Sequence, residues 1–258
     1  MSHLHFPDGV LPLWLIGLGW LVTLVLVGAA ARALRRADRA HLVPLIGVVS
    51  ALVVAAMSSE IVPIAYHINL TVLAGIMVGP AAAVLVALVV NVILALFGHG
   101  GVTVVGLNTV EIATEMSLGY VLFHGIVRVL RGRPGLAAGL ATVLTLFVST
   151  TLMIGIVALS QVAPVDARET GALDPATLSF SDPFGQGLFA NRIATPEREP
   201  SVAPAGAISV ARFAAVVYAL GLIGWTIEAL LIGSMVSFVA RVRPGLLRHP
   251  LLGGLEWT

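Results

Sequence analysis

The run from Leu13 to Ala31 is apolar and contains no charged residue, and several similar runs follow it along the chain. A helix needs about 20 apolar residues to cross the hydrocarbon core of a bilayer. With 58% hydrophobic and 10% charged residues, the chain would expose too much apolar surface as a water-soluble domain. The sequence therefore predicts an all-α, polytopic membrane protein that forms one membrane domain over residues 1–258.

About seven segments are predicted to cross the bilayer. Their approximate ranges are 11–31, 42–60, 67–79, 81–97, 106–127, 136–160 and 208–240. The third and fourth segments are short and meet at Gly79-Pro80, a residue pair that favours a tight turn.

The arginines predict how these segments are oriented. Ten of the fourteen lie in three clusters, at 32–39, 128–133 and 241–248, which seven crossings place on one side of the membrane. The positive-inside rule makes that side the cytoplasm, with the N-terminus outside and the C-terminus inside. Residues 161–206, which contain six acidic residues, are then an extracytoplasmic loop. This loop either packs on the outer surface through its Phe and Leu residues or stays flexible.

Two residue types are missing, and each absence excludes a class of function. The chain has no cysteine, so it can build neither a disulfide nor a thiolate metal site. It has no lysine, which a Walker A phosphate loop requires, so an ATP-driven function needs a separate ATPase polypeptide. No basic tract indicates nucleic-acid binding.

Four histidines are predicted near the outer face, namely His3, His5, His67 and His99. Imidazole nitrogens suit borderline cations such as Ni²⁺, Co²⁺, Cu²⁺ and Zn²⁺. An N-terminal amine, a backbone amide and a nearby imidazole can also chelate Ni²⁺ or Cu²⁺ in one plane. The alternative is that these histidines are hydrogen-bonded residues at helix ends and that the N-terminal leader has no role.

Two stretches carry a family resemblance. The stretch "HFPDGVLP" resembles the opening of the substrate-capture (S) components of nickel and cobalt energy-coupling-factor transporters. Residues 66–109 resemble that family's central block, with a His at the head of a helix, a Gly-Pro turn, and an "FGHGG" to "GxNT" loop. The similarity is good over residues 4–125, and elsewhere it extends only to helix number and topology.

The resemblance implies a metal site and the residues that form it. In the family, the metal is held by the N-terminal amine, by the amide and imidazole of the adjacent His, and by a second His. Carried over to this chain, the imidazole donors are His5 and His67. His99 and Asn108 would lie in the loop that closes the pocket, and Asp8 would help to form the entry turn.

The N-terminus departs from the family pattern. The family's His follows the initiator Met directly, whereas here Leu4 takes that place behind three further residues. If Met1 to His3 are present, His3 or the amine of Ser2 would have to replace the missing amine ligand. If translation starts at Leu4, the family's arrangement is restored, and the resemblance favours this second interpretation.

Three glutamates lie inside predicted membrane segments, where ionisable residues are costly and usually face a bundle interior or a partner. Glu111 and Glu115 are four residues apart on one helix face, near its outer end. They could bind a metal directly, but we expect them to support the metal pocket or to be satisfied by hydrogen bonds. Together with Glu228 they also allow an alternative function, a proton-coupled secondary carrier of transition metals.

The resulting hypothesis is a substrate-specific membrane subunit of an ATP-driven energy-coupling-factor transporter in a bacterial or archaeal cell (inner) membrane. The metal, Ni²⁺ or Co²⁺, would be a transported substrate, and neither a resident cofactor nor an enzymatic activity is expected. The resemblance implies a membrane coupling (T) subunit and ATP-binding subunits as partners. An intramembrane zinc enzyme is disfavoured because the sequence has no H-E-x-x-H element. The "PDG" turn favours nickel over cobalt by resemblance only.

Overall fold

Six helices dominate the structure, a computed structural model that describes residue 6 and residues 11–36, 39–58, 60–61, 66–98, 100–160 and 210–247. Each of these helices is long and apolar enough to cross a membrane. They are α1 (Leu13–Ala33), α2 (Arg39–Met57), α3 (Thr71–Leu96), α4 (Val105–Val129), α5 (Pro134–Ser160) and α6 (Val210–Val242). The predicted all-α membrane fold is confirmed, while the predicted loop 161–206 lies outside the described residues.

Helix α3 is interrupted at Gly79, and its two halves correspond to the predicted third and fourth segments. Gly79 has φ 74° and ψ 168°, a conformation that only glycine adopts without strain. Pro80 follows, and its fixed φ suits the first position of a new helical stretch. The ends of α1, α4 and α6 carry Arg32, Arg128 and Arg241. These three helix ends lie on the same side of the membrane only if the two halves of α3 cross it separately, as in the predicted topology.

A short antiparallel ladder precedes α3. Its strands are β1 (Glu60–Ile61) and β2 (Tyr66–His67), with Glu60 opposite His67. The sequence predicts the helix from residue 67, but α3 begins at Thr71. The reason is local: the side-chain Oδ1 of Asn69 accepts a hydrogen bond from the backbone N–H of Thr71 at 3.0 Å, which satisfies a donor of the first turn.

Helix α4 packs against α1, α3 and α5. Two close approaches depend on glycine. A Cβ atom on Gly75 of α3 would overlap the backbone carbonyl of Met116, and one on Gly106 of α4 would lie 2.7 Å from the backbone of Trp20. Small residues allow membrane helices to approach this closely. Gly75 and Gly106 are therefore positions at which α4 packs closely against its neighbours.

Candidate functional site

The backbone of Phe6, the residue that follows His5, is fixed to the start of α4. Its N–H donates to Oδ1 of Asn108 at 3.2 Å, and its carbonyl accepts from Nδ2 of Asn108 at 3.4 Å. The same carbonyl accepts a hydrogen bond from the N–H of Gly101 at 3.0 Å. One buried amide side chain thus satisfies both backbone groups of a residue in the N-terminal segment.

The side chain of Phe6 is also buried and belongs to an apolar cluster. The other buried members of this cluster are Leu11, Leu15, Val104, Leu107, Met153 and Val217. Burying an aromatic side chain of this size contributes about 1.5–3 kcal/mol. The N-terminal segment is therefore anchored by apolar packing as well as by its backbone hydrogen bonds.

The loop before α4 is fixed to α1 from the other side. Nε1 of Trp20 donates to the carbonyl of Thr103 at 2.8 Å, and the hydroxyl of Thr23 donates to the carbonyl of Gly106 at 2.6 Å. These bonds hold the first helix, the "GVT" loop and the start of α4 in one arrangement. The loop that the family resemblance predicts to close the pocket thus has defined contacts at residues 101–106.

A second polar contact joins the middle of α4 to the segment that precedes α3. Nδ2 of Asn69 and the hydroxyl of Thr71 both donate to Oε2 of Glu115, at 2.9 and 2.8 Å. All three residues are buried. Glu115 is therefore satisfied by hydrogen bonds, as the sequence interpretation allowed. That interpretation missed Asn69 and Thr71, although two hydrogen-bonding residues at the start of an apolar run were the available signal.

The structure brings some of the predicted site residues together. Asn108 and Glu111 are both buried on α4, and their spacing to Glu115 puts all three on one helix face. Asn108 therefore lies within a helix that begins at Val105, and not in the loop where the family resemblance placed it. His67 is described only as backbone in β2. The remaining candidates lie outside the described residues, and these are His3, Leu4, His5, Asp8 and His99.

Within the described ranges, no group of three or more His, Asp or Glu side chains is placed to hold a metal ion. None of the four predicted imidazoles is among these side chains, because that of His67 is not described either. What the structure does place is the support: α4 contacts the residue after His5 through Asn108 and the segment after His67 through Glu115. The ligand set itself stays a prediction.

These features define a multi-pass membrane protein in which buried polar residues of one helix hold two separate chain segments. Residues 5–246 match the family model described as the cobalt uptake substrate-specific transmembrane region, CbiM. The chain belongs to this family, which is one of membrane transport components rather than of enzymes. The family resemblance seen in the sequence is confirmed.

Two curated relatives are similar to parts of the chain. One is a protein of Haloquadratum walsbyi whose name describes a metal transport protein, 38% identical over 126 residues, which are 47% of this chain and 58% of the relative. The other is a protein of Archaeoglobus fulgidus whose name describes a fused nickel transport protein, NikMN. It is 32% identical over 141 residues, which are 53% of this chain and 47% of the relative. The chain thus spans about half the length of these relatives.

A solved structure shares the fold over nearly the whole chain. It is the crystal structure of a transition metal transporter, with a TM-score of 0.67 and coverage of 93% of each chain. The sequence identity is 17%, so this likeness establishes the fold alone.

Proposed function

We propose that this chain is the substrate-specific membrane subunit of an importer of Ni²⁺ or Co²⁺ in a bacterial or archaeal cell membrane. The observation that carries the proposal is the docking of Phe6 on Asn108 and Gly101, because it fixes the residue next to His5 against α4. The family match and the names of the two relatives support transition metals as the substrate class.

The proposed ligands are the imidazoles of His5 and His67, together with the amine and amide at the N-terminus. The amine belongs to the residue at position 4 if translation starts there, and otherwise His3 or the amine of Ser2 supplies the missing nitrogen. Nitrogen donors select Ni²⁺ or Co²⁺ over Mg²⁺ and Ca²⁺, which prefer oxygen ligands. In this proposal Asp8, His99 and Glu111 support the pocket without binding the metal.

Energy for uptake is proposed to come from partner subunits. The chain has no lysine and therefore no Walker A motif of its own. A membrane coupling subunit and ATP-binding subunits would use ATP to change the orientation of this chain, so that the metal is released inward. Metal uptake into proteoliposomes should accordingly require these subunits, whereas uptake by this chain alone under a proton gradient would favour the secondary-carrier alternative.

The purified protein with its natural, untagged N-terminus should bind Ni²⁺ through the proposed nitrogen ligands. We expect a yellow, diamagnetic, one-to-one complex in an absorbance titration, because four nitrogens in a plane favour low-spin Ni²⁺. His5→Ala and His67→Ala should each abolish the absorbance band. The matched control is His41→Ala, since His41 is exposed near the start of α2 and is not a proposed ligand.

Two outcomes would contradict parts of this proposal. Loss of the band in His3→Ala but not in His5→Ala would mean that the first three residues are present and that the ligand set is displaced by two positions. Failure of the parent protein to bind either Ni²⁺ or Co²⁺ would overturn the metal assignment.

A further inference from the structure

We propose that Glu115 is a positioning residue that holds the chain segment carrying His67 against α4. The consequence for metal binding rests on the function proposed above, whereas the anchoring itself rests on described contacts.

The anchor consists of three hydrogen bonds within three residues. Oε2 of Glu115 accepts from Asn69 and from Thr71, while Oδ1 of Asn69 accepts from the backbone N–H of Thr71. Asn69 and Glu115 are 1% exposed and Thr71 is 0% exposed. Water therefore cannot replace a lost partner at low cost, because unsatisfied buried polar groups are expensive.

The anchor lies close enough to His67 to set its backbone position. Asn69 is two residues further along the chain, and consecutive Cα atoms are about 3.8 Å apart. On its other side, His67 is paired with Glu60 in the β1–β2 ladder. The backbone of His67 is thus held between a strand pairing and a buried carboxylate.

The same helix carries the anchor for the N-terminal segment. Asn108 and Glu115 are seven residues apart, which is about two turns and roughly 10 Å along α4. A rigid helix therefore sets the spacing between the segment next to His5 and the segment that contains His67. Residues that orient metal ligands typically change metal affinity by about 10–100-fold when they are mutated.

The test uses Ni²⁺ titrations of the full chain with its natural N-terminus. Glu115→Leu should weaken Ni²⁺ binding by about 10–100-fold, and Thr71→Val by about tenfold. Glu115→Gln keeps a carbonyl acceptor and should recover most of the affinity lost in Glu115→Leu. The matched control is Thr142→Val, because the hydroxyl of Thr142 is equally buried but donates to Ala138 within its own helix. This control should bind Ni²⁺ as the parent does.

A second measurement tests the anchoring of this segment in the absence of metal. Hydrogen–deuterium exchange at backbone amides 66–71 should be faster in Glu115→Leu and Thr71→Val than in Thr142→Val. Equal exchange in all three variants would overturn the anchoring.

The two proposals fail in different ways. If the parent and Glu115→Leu bind Ni²⁺ equally well while His67→Ala does not bind, the positioning role is wrong and the proposed function stands. If the parent binds no metal, the proposed function is wrong, and the exchange rates alone decide whether Glu115 anchors the segment.

Discussion

Gly75→Ala is expected to destabilise the protein strongly, by about 3 kcal/mol or more. The added Cβ would overlap the backbone carbonyl of Met116, and a backbone atom inside a helix cannot move aside as a flexible side chain can. Overpacking a buried site costs about 1–3 kcal/mol, and this clash belongs at the upper end. The measurement is the thermal unfolding midpoint in detergent, followed by circular dichroism.

The control for this prediction is Gly28→Ala in α1, where an added Cβ meets no atom within 4 Å. Alanine favours a helix over glycine by about 0.5–1 kcal/mol, so this variant should melt at the same temperature or higher. The two substitutions are chemically identical, but Gly75→Ala should lower the melting temperature and Gly28→Ala should leave it unchanged or raise it. Equal melting temperatures would mean that α3 and α4 are not in close contact at this position.

Helix separation at Gly75 also bears on the polar anchor. Thr71 lies one turn before Gly75 on α3, and Glu115 directly precedes Met116 on α4. The glycine that permits the close approach therefore also permits the hydrogen bond between Thr71 and Glu115. We expect any Gly75→Ala protein that remains folded to bind Ni²⁺ more weakly as well.

The membrane fold could be predicted from the sequence because long apolar runs have few alternatives. The turn at Gly79-Pro80 was also readable, since glycine and proline limit the backbone directly. The start of α3 was not, because the side chain of Asn69 accepts a hydrogen bond from the first N–H of the helix, and apolar periodicity carries no signal for such a local hydrogen bond.

The site was predictable to a different extent. Motifs pointed to Asn108, but nothing in the sequence shows that its amide would satisfy both backbone groups of Phe6. The partners of Glu115 were missed for the same reason. Contacts between residues 44 and 46 positions apart depend on how the helices pack, and one sequence gives no measure of that packing.

Asn108→Leu is expected to give the largest loss of metal binding among variants that change no proposed ligand. The substitution removes the acceptor for the Phe6 N–H and one of the two donors to its carbonyl, and it places an apolar group against them. Once the N-terminal segment is released, metal binding has to order it again, and this costs binding free energy. We therefore expect Ni²⁺ affinity to fall by about 100-fold. Isothermal titration calorimetry with the natural N-terminus measures this change.

Asn91→Leu is the matched control, because the amide of Asn91 is equally buried but donates to Ala87 within its own helix. It should leave Ni²⁺ affinity within about twofold of the parent, since the hydrogen bond that it removes lies within α3. Asn108→Asp provides an intermediate case, because it keeps the acceptor for the Phe6 N–H and loses the Nδ2 donor. An affinity order of parent, Asn108→Asp and then Asn108→Leu would show that the backbone of Phe6 transmits the effect. Equal losses in Asn108→Leu and Asn91→Leu would instead mean that Asn108 acts through helix packing alone.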